Sequence, residues 1–303
     1  MDSARFLRLR RPRVHAGGPR LLRVGAPLGR GRTARREQRG ASLATDVHPR
    51  LIAGRRMADA LVAALIASRC AACDRLLPEP TRGTVCRGCW AAVAIFKPPL
   101  CQQCGDPLPS WRAVSRGAER CARCRRVPRP LDGGRAVGPY EGALRAIVHA
   151  FKYDSRRSLA RPLASLVRRH TEDLLSQADL AVPVPLHWSR QHRRGFNQAA
   201  ELAAHLGLPV VHALRRRVWT QAQVTLPSAR RHANVRGAFV PASRAWWCRG
   251  PTRAALSGRT IVLVDDVCTT GATLDACARV LKAEGASRVL ALTAAKVVAW
   301  RPR

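Results

Sequence analysis

The chain is 303 residues long, with 54 Lys plus Arg against 19 Asp plus Glu, and it is 47% hydrophobic but only 5% aromatic. That length has room for about two domains, and a core so short of aromatic rings must be built from Ala, Val and Leu. No segment approaches the roughly 18 apolar residues that cross a bilayer, the longest run being Ala58 to Ala67, which argues against insertion as a helix.

A formal charge of +35 points toward a polyanionic partner, because clustered cations gain by releasing counterions from phosphates. Yet only Lys97, Lys152, Lys282 and Lys296 are lysines, and so strong an Arg bias is also what genomic composition produces. The charge is uneven as well: residues 1–56 hold fifteen Arg against Asp2, Glu37 and Asp46. This Gly/Pro/Arg-rich stretch has neither helical nor strand periodicity. We read 1–56 as a disordered or upstream extension with translation expected to start at Met57, an organellar transit peptide being the alternative.

The pattern becomes legible at Met57. A short apolar helix over 57–69 leads into a cysteine-rich module at 70–127, where eight of the eleven cysteines form four C-x-x-C pairs. These are Cys70/Cys73, Cys86/Cys89, Cys101/Cys104 and Cys121/Cys124. A two-residue spacer lets one tight turn present two thiolates to one ion, so each half of the module supplies the four sulfurs of a tetrahedral zinc site. Two structural zinc ions are expected. A disulfide framework suits short secreted chains instead. Cys248, Cys268 and Cys277 fall outside the pattern and read as ordinary small residues.

Pro128 and Pro130 mark a linker and Asp132-Gly133-Gly134 a turn, opening a second domain over 128–303. In chain order the spacing predicts a strand at Ala136 to Tyr140, helices at Gly142 to Lys152 and Leu159 to Leu175, and a strand at Leu180 to Val184. A helix at Asn197 to Leu206 and a long polar loop at Arg215 to Arg236 follow. A strand at Thr260 to Val264, a helix at Thr273 to Glu284 and a strand at Arg288 to Val298 close the chain. Buried strands alternating with helices argue for an α/β fold, a parallel sheet with helices on both faces.

The most informative stretch is Ile261 to Thr273, in which an apolar strand ends on Asp265 and Asp266 and a hydroxyl-rich loop enters a helix. Ligands of open α/β sheets gather at the carboxyl ends of strands, and a helix N-terminus attracts phosphate. Gly271 permits the bend, Thr269, Thr270 and Thr273 offer hydroxyls, and Ala272 belongs to the same candidate phosphate loop. The two acids suit ribose hydroxyls and a hydrated Mg²⁺. A capped helix start after a buried strand is the plainer alternative.

The stretch resembles the signature of type I phosphoribosyltransferases, which bind 5-phosphoribosyl-1-pyrophosphate. Val182-Pro183-Val184-Pro185, Arg190, Arg193-Arg194-Gly195-Phe196-Asn197-Gln198, Phe151-Lys152-Tyr153, Gln223, Arg230 and the four cysteine pairs together resemble the ComF family. The match runs from about Cys70 to Lys296; Phe151 stands where that family commonly has Leu, and Lys296 where Arg is usual. The resemblance implies a cytoplasmic bacterial protein, a transferase domain behind a double zinc ribbon, and a link to natural competence and incoming single-stranded DNA. It supplies no acceptor substrate.

Arg190 and Arg194 suit a pyrophosphate leaving group through bidentate pairing, and Lys152 is a further candidate; a solvated basic loop is the rival reading. His187 and His192 read as surface residues. The polar segment from Arg215 to Arg236 stands where similar transferases have a closing flap, with Gln223 and Arg230 as candidates on it, or else is a disordered basic loop. Two functions compete. One is a phosphoribosyltransferase of unknown acceptor; the other is a non-catalytic module of the same fold that binds single-stranded DNA or a competence helicase.

Overall fold

A computed structural model describes residues 57–62, 68–110, 119–153, 156–217, 237–242 and 253–298, all within one compact unit from Val47 to Arg303. The extension at 1–56, Gln223, Arg230 and Cys248 lie outside the described residues. Residues 57–62 are helical, where the short apolar helix was expected. Among the described residues, no helix is long and apolar enough to cross a membrane.

The cysteine module consists of two matching halves. In each, a cysteine knuckle is closed by the same backbone bonds: Cys70 N–H to Arg75 O and Asp74 N–H to Cys70 O in the first, Cys101 N–H to Asp106 O and Gly105 N–H to Cys101 O in the second, all 2.8 Å. Asp74 (φ 59°) and Gly105 (φ 73°) take the left-handed position this turn requires, which Asp tolerates better than most residues and Gly tolerates freely. The second cysteine pair of each half opens a short helix, α1 (Arg87–Ala91) behind Cys86 and α2 (Ala122–Arg126) behind Cys121.

The body is a four-stranded sheet in the order β1-β6-β5-β2, made of β1 (Gly133–Pro139), β2 (Leu180–Pro183), β5 (Thr260–Cys268) and β6 (Arg288–Lys296). Every pairing is parallel. A separate antiparallel pair, β3 (Leu214–Arg216) with β4 (Phe239–Pro241), flanks the segment predicted to be an irregular loop, whose first residues, Arg215 and Arg216, are strand.

Helices cover both faces because the apolar residues recur at helical spacing. On one face, α3 (Gly142–Tyr153) buries Leu144, Ile147, Val148 and Phe151, and α4 (Ala160–His170) buries Ala160, Leu163, Ala164 and Val167. They pack on Val262 and Val264 of β5 and Leu290 and Leu292 of β6. Full burial of each such Leu, Ile or Phe contributes about 1.5–3 kcal/mol. On the other face, α9 (Ala272–Ala283) sets Leu274, Cys277 and Leu281 against Ile261, Leu263, Val289 and Ala291, beside α8 (Arg253–Leu256) and Phe239. Cys268 and Cys277 are buried in this layer, as ordinary small residues.

The helix predicted over Leu159 to Leu175 stops at His170, because the buried Thr171 hydroxyl turns back onto Val167 O at 2.8 Å; α5 (Glu172–Leu175) is a separate turn. The second ribbon is fused to the sheet. A Cβ on Gly105 would lie 2.7 Å from Gly134 O, one on Gly138 would collide with Ala94 O, and Phe96 N–H donates to Val137 O at 2.9 Å.

Candidate functional site

Within the cysteine module, the four sulfurs of each group lie within 4.8 Å of one another: Cys70, Cys73, Cys86 and Cys89, and separately Cys101, Cys104, Cys121 and Cys124. A zinc tetrahedron with Zn–S of about 2.3 Å has edges of about 3.8 Å. Cys70 to Cys89 and Cys73 to Cys86 span 3.9 Å, and Cys104 to Cys121 spans 3.7 Å. Backbone N–H groups already aim at the sulfurs, Cys86 at Cys70 (3.3 Å) and Cys121 at Cys101 (3.2 Å), the arrangement that steadies thiolates around a metal. The residues fit zinc, and a four-sulfur site leaves no open position for catalysis.

The second site lies where β5 runs into α9. β5 is longer than the apolar pattern suggested, reaching Cys268, so Asp265 and Asp266 sit inside it rather than beyond its end. Strand alternation then sends them to opposite faces of the sheet: Asp266 follows Val262 and Val264, and Asp265 follows Ile261 and Leu263. Asp266 meets Lys152 Nζ at 2.8 Å, delivered by the last turn of α3. Burial works against the Lys152 ammonium, but Asp266, with Asp265 behind it, holds its pKa above the ordinary range. Asp265 accepts the Asp266 N–H at 2.8 Å. Burial and then the Asp266 charge push the Asp265 carboxyl up to about 7, against the opposing pull of Lys152.

Beyond β5 the loop turns on Gly271, whose φ of 82° is left-handed and where a Cβ would meet the Arg129 guanidinium. The Thr270 hydroxyl accepts the Ala272 N–H at 3.4 Å. Gly271 and Ala272 are buried, while Thr269, Thr270 and Thr273 remain half-buried.

The Arg-rich segment is not a loop. It forms α6 (Trp188–Arg194), ended by Gly195 at φ 72°. Arg194 donates to Gln198 Oε1 at 3.1 Å and stacks over Tyr153 at 5.1 Å. Buried Gln198 donates to Lys152 O at 3.5 Å, which joins the Arg segment to the lysine of the acid pair. Phe196 packs on Phe151 with ring centroids 5.5 Å apart, and Asn197 caps α7 (Gln198–Ala203) at Ala199 N–H while donating to Val184 O. Gly195-Phe196-Asn197-Gln198 therefore fastens the end of α6 to α3 and holds Arg194 through Gln198.

Two residues stand apart from the sequence reading. His187, expected at the surface, is 6% exposed: it caps α6, and its Nδ1 lies 2.8 Å from Ser189 Oγ. Burial, then Arg216 and Arg190, lower its pKa. Arg216 of β3, over the Phe239 ring at 5.3 Å, is near enough to Arg190 and Asp265 for their charges to interact. Nothing in the sequence distinguished it from Arg215 and Arg217. His192 is exposed, as expected.

Comparison with known proteins bears on both parts of the chain. A family model described as a double zinc ribbon domain matches residues 61–129, and one described as a phosphoribosyl transferase domain matches residues 192–299. DNA utilization protein YhgH of Escherichia coli (strain K12) is 32% identical over 218 residues, covering 68% of this chain and 87% of that protein. The chain belongs to the ComF family. Competence protein F of Haemophilus influenzae is 29% identical over 231 residues, 73% of this ComF-family chain and 93% of the relative. Competence protein ComFC of Bacillus subtilis is 29% identical over 210 residues, 66% and 79% of the two chains. Among solved structures, the allosteric regulatory enzyme of purine biosynthesis aligns over 48% of this chain and 30% of its own, at 21% identity and a TM-score of 0.29.

Proposed function

We propose that this ComF-family chain binds 5-phosphoribosyl-1-pyrophosphate with Mg²⁺ at the junction of β5 and α9 and transfers its ribose 5-phosphate to an acceptor, in the competence and DNA utilization that its relatives' names state. The observation that carries this reading is the acid pair in the C-terminal half of β5, with Asp266 held by Lys152 at 2.8 Å, ahead of a Gly271-centred loop and helix start. Backbone N–H groups at Gly271 to Thr273 would receive the 5-phosphate. The acids would hold the ribose hydroxyls and the waters of Mg²⁺, which supplies charge neutralisation for a departing pyrophosphate. Lys152, Arg190, Arg194 and Arg216 would share that neutralisation from the other side. Gln223 and Arg230 remain candidates on a closing segment.

A second reading, a non-catalytic module for single strands, is favoured by Trp188 (74% exposed) and Tyr153 (59% exposed), set beside Arg190, Arg193 and Arg194. Exposed rings among cations suit stacked bases. Calorimetry with Mg²⁺ and phosphoribosyl pyrophosphate, followed by a pyrophosphate-release assay across bases, amines and nucleosides, separates the two. Saturable binding with release supports the transferase; binding without release supports the module; no binding by the wild type, while a 20-mer single strand still binds, removes the transferase reading.

A further inference from the structure

The second ribbon reaches the loop between β5 and α9 by three routes, one from each knuckle and one from the neighbouring strand. From the Cys121/Cys124 knuckle, Arg123 on α2 donates Nη2 to Thr270 O at 3.0 Å. From the Cys101/Cys104 knuckle, the amide of Gln103 donates to Leu131 O at 3.2 Å and to Arg129 O at 3.5 Å, fixing the backbone that launches Arg129. The Arg129 side chain is 8% exposed; its Nε donates to both Asp275 oxygens (3.0 and 3.1 Å), and its Nη2 lies 2.9 Å from Oδ1. Asp275 stands in the first turn of α9, with its own N–H bonded to Gly271 O at 2.8 Å. At the end of β6, Lys296 pairs with Asp106 at 2.7 Å and donates to Cys104 O, opposite Cys268 in the sheet register.

These contacts do more than glue two parts together. A peptide unit is planar, with its C=O and the next N–H pointing opposite ways. Arg123, by drawing Thr270 O toward the ribbon, therefore aims the Gly271 N–H away from it. Arg129 closes the same turn from the flank, occupying the space a side chain at 271 would need. Together the two arginines dictate the loop's orientation, and a cradle of backbone N–H groups binds an anion only if those groups converge before it arrives.

We propose that Arg123 and Arg129 are positioning residues, through which the zinc-bound second ribbon holds the phosphate loop in its binding conformation; this rests on the reading of that loop as the 5-phosphate site. Burial of Asp275 makes Arg129→Ala a poor probe, because it strands a carboxylate and endangers the fold. Arg129→Lys keeps the charge but loses the fork, and Arg123→Ala changes an exposed contact. Both variants of the zinc-loaded full chain are followed by zinc content, by hydrogen exchange in peptides from α9, β1 and β6, and by calorimetry with Mg²⁺-phosphoribosyl pyrophosphate.

The expected result is unchanged zinc content and exchange in the first turns of α9 faster by about tenfold, the factor for losing one charge-assisted hydrogen bond, while β1 and β6 stay as in the wild type. Affinity for the phosphoribosyl ligand should fall by at least about fivefold. Unchanged exchange at α9 in both variants overturns the proposal. So does an equal rise in all three elements, which would make the arginines mere supports of the fold, and so does local loosening that leaves a measurable wild-type affinity intact. Local loosening in a protein whose wild type binds no such ligand supports the positioning and instead removes the transferase reading.

Discussion

Asp265 is a residue the apo fold would be better without, and Asp265→Asn tests this. Its carboxyl is pushed up to about 7 from the ordinary 3.8, first by burial and then by Asp266. The unfolded chain surrenders this proton near 3.8 and the folded chain near 7, so as pH rises between those values the unfolded state gains. The group thus costs nothing below the lower value, and its full cost is present above the upper one. Taken at face value the difference is on the order of 4 kcal/mol. Asp265 is only half-buried, and solvent on its open side screens much of that, leaving about 1–2 kcal/mol to be recovered by an amide. Asn retains the oxygen that accepts the Asp266 N–H, so no hydrogen bond is lost.

Asp265→Asn should therefore raise the melting temperature of the zinc-loaded protein at pH 8 by about 3–6 °C, and by about half as much at pH 5.5, above the acidity that strips thiolates from zinc. In the wild type the affinity for Mg²⁺-phosphoribosyl pyrophosphate should rise through about pH 7 as Asp265 ionises, with buffer-dependent heat reporting the released proton, and the variant should lose that affinity. A variant less stable than wild type at pH 8, or a gain equal at the two pH values, refutes the argument. A stabilised protein that has lost its ligand is the outcome expected where chemistry, not packing, placed the acid.

The purified protein should carry two zinc ions, and Cys86→Ser should lose one of them and unfold the first half of the module; mass spectrometry showing disulfides and no metal would contradict this. Gly138→Ala should destabilise the protein by about 1–3 kcal/mol in urea, because the obstacle to its Cβ is the Ala94 backbone carbonyl rather than a side chain that can swing aside.

Much of the architecture was legible because it depends on local pattern. The i, i+3, i+4, i+7 spacing of Leu144, Ile147, Val148 and Phe151 fixes a helix and its buried face in one stroke, and C-x-x-C repeats announce their own metal geometry. The loop from Asp265 to Thr273 was legible because strand, acids, glycine and helix follow one another in the chain. What stayed hidden depends on contacts across the chain. Arg129 in a proline-flanked linker looks like any other arginine until it meets Asp275; Arg216 gains its place only when β3 pairs with β4; and His187 is buried by neighbours its own segment does not name. In a sequence with this much Arg, composition masks which arginines matter.

The zinc module also answers a problem posed by the sheet. β1 is an edge strand with one row of backbone groups facing away from β6, the kind of edge that invites pairing with another chain. Helices cover the faces of a parallel sheet but not its edges. Here Phe96 N–H takes up Val137 O, and the close approaches of Ala94 to Gly138 and of Gln103 and Gly105 to Gly134 bring the module's backbone along the length of β1. Backbones come that near only where side chains are missing, which accounts for glycine at 105, 134 and 138 on the two sides of the seam. The module thus shields the sheet's edge beside the contacts that carry its second ribbon to the phosphate loop, and Gln103 takes part in both. Loss of zinc from Cys101, Cys104, Cys121 and Cys124 should then expose β1 as well as loosen the loop, so a metal-stripped protein is expected to aggregate before its helical core melts.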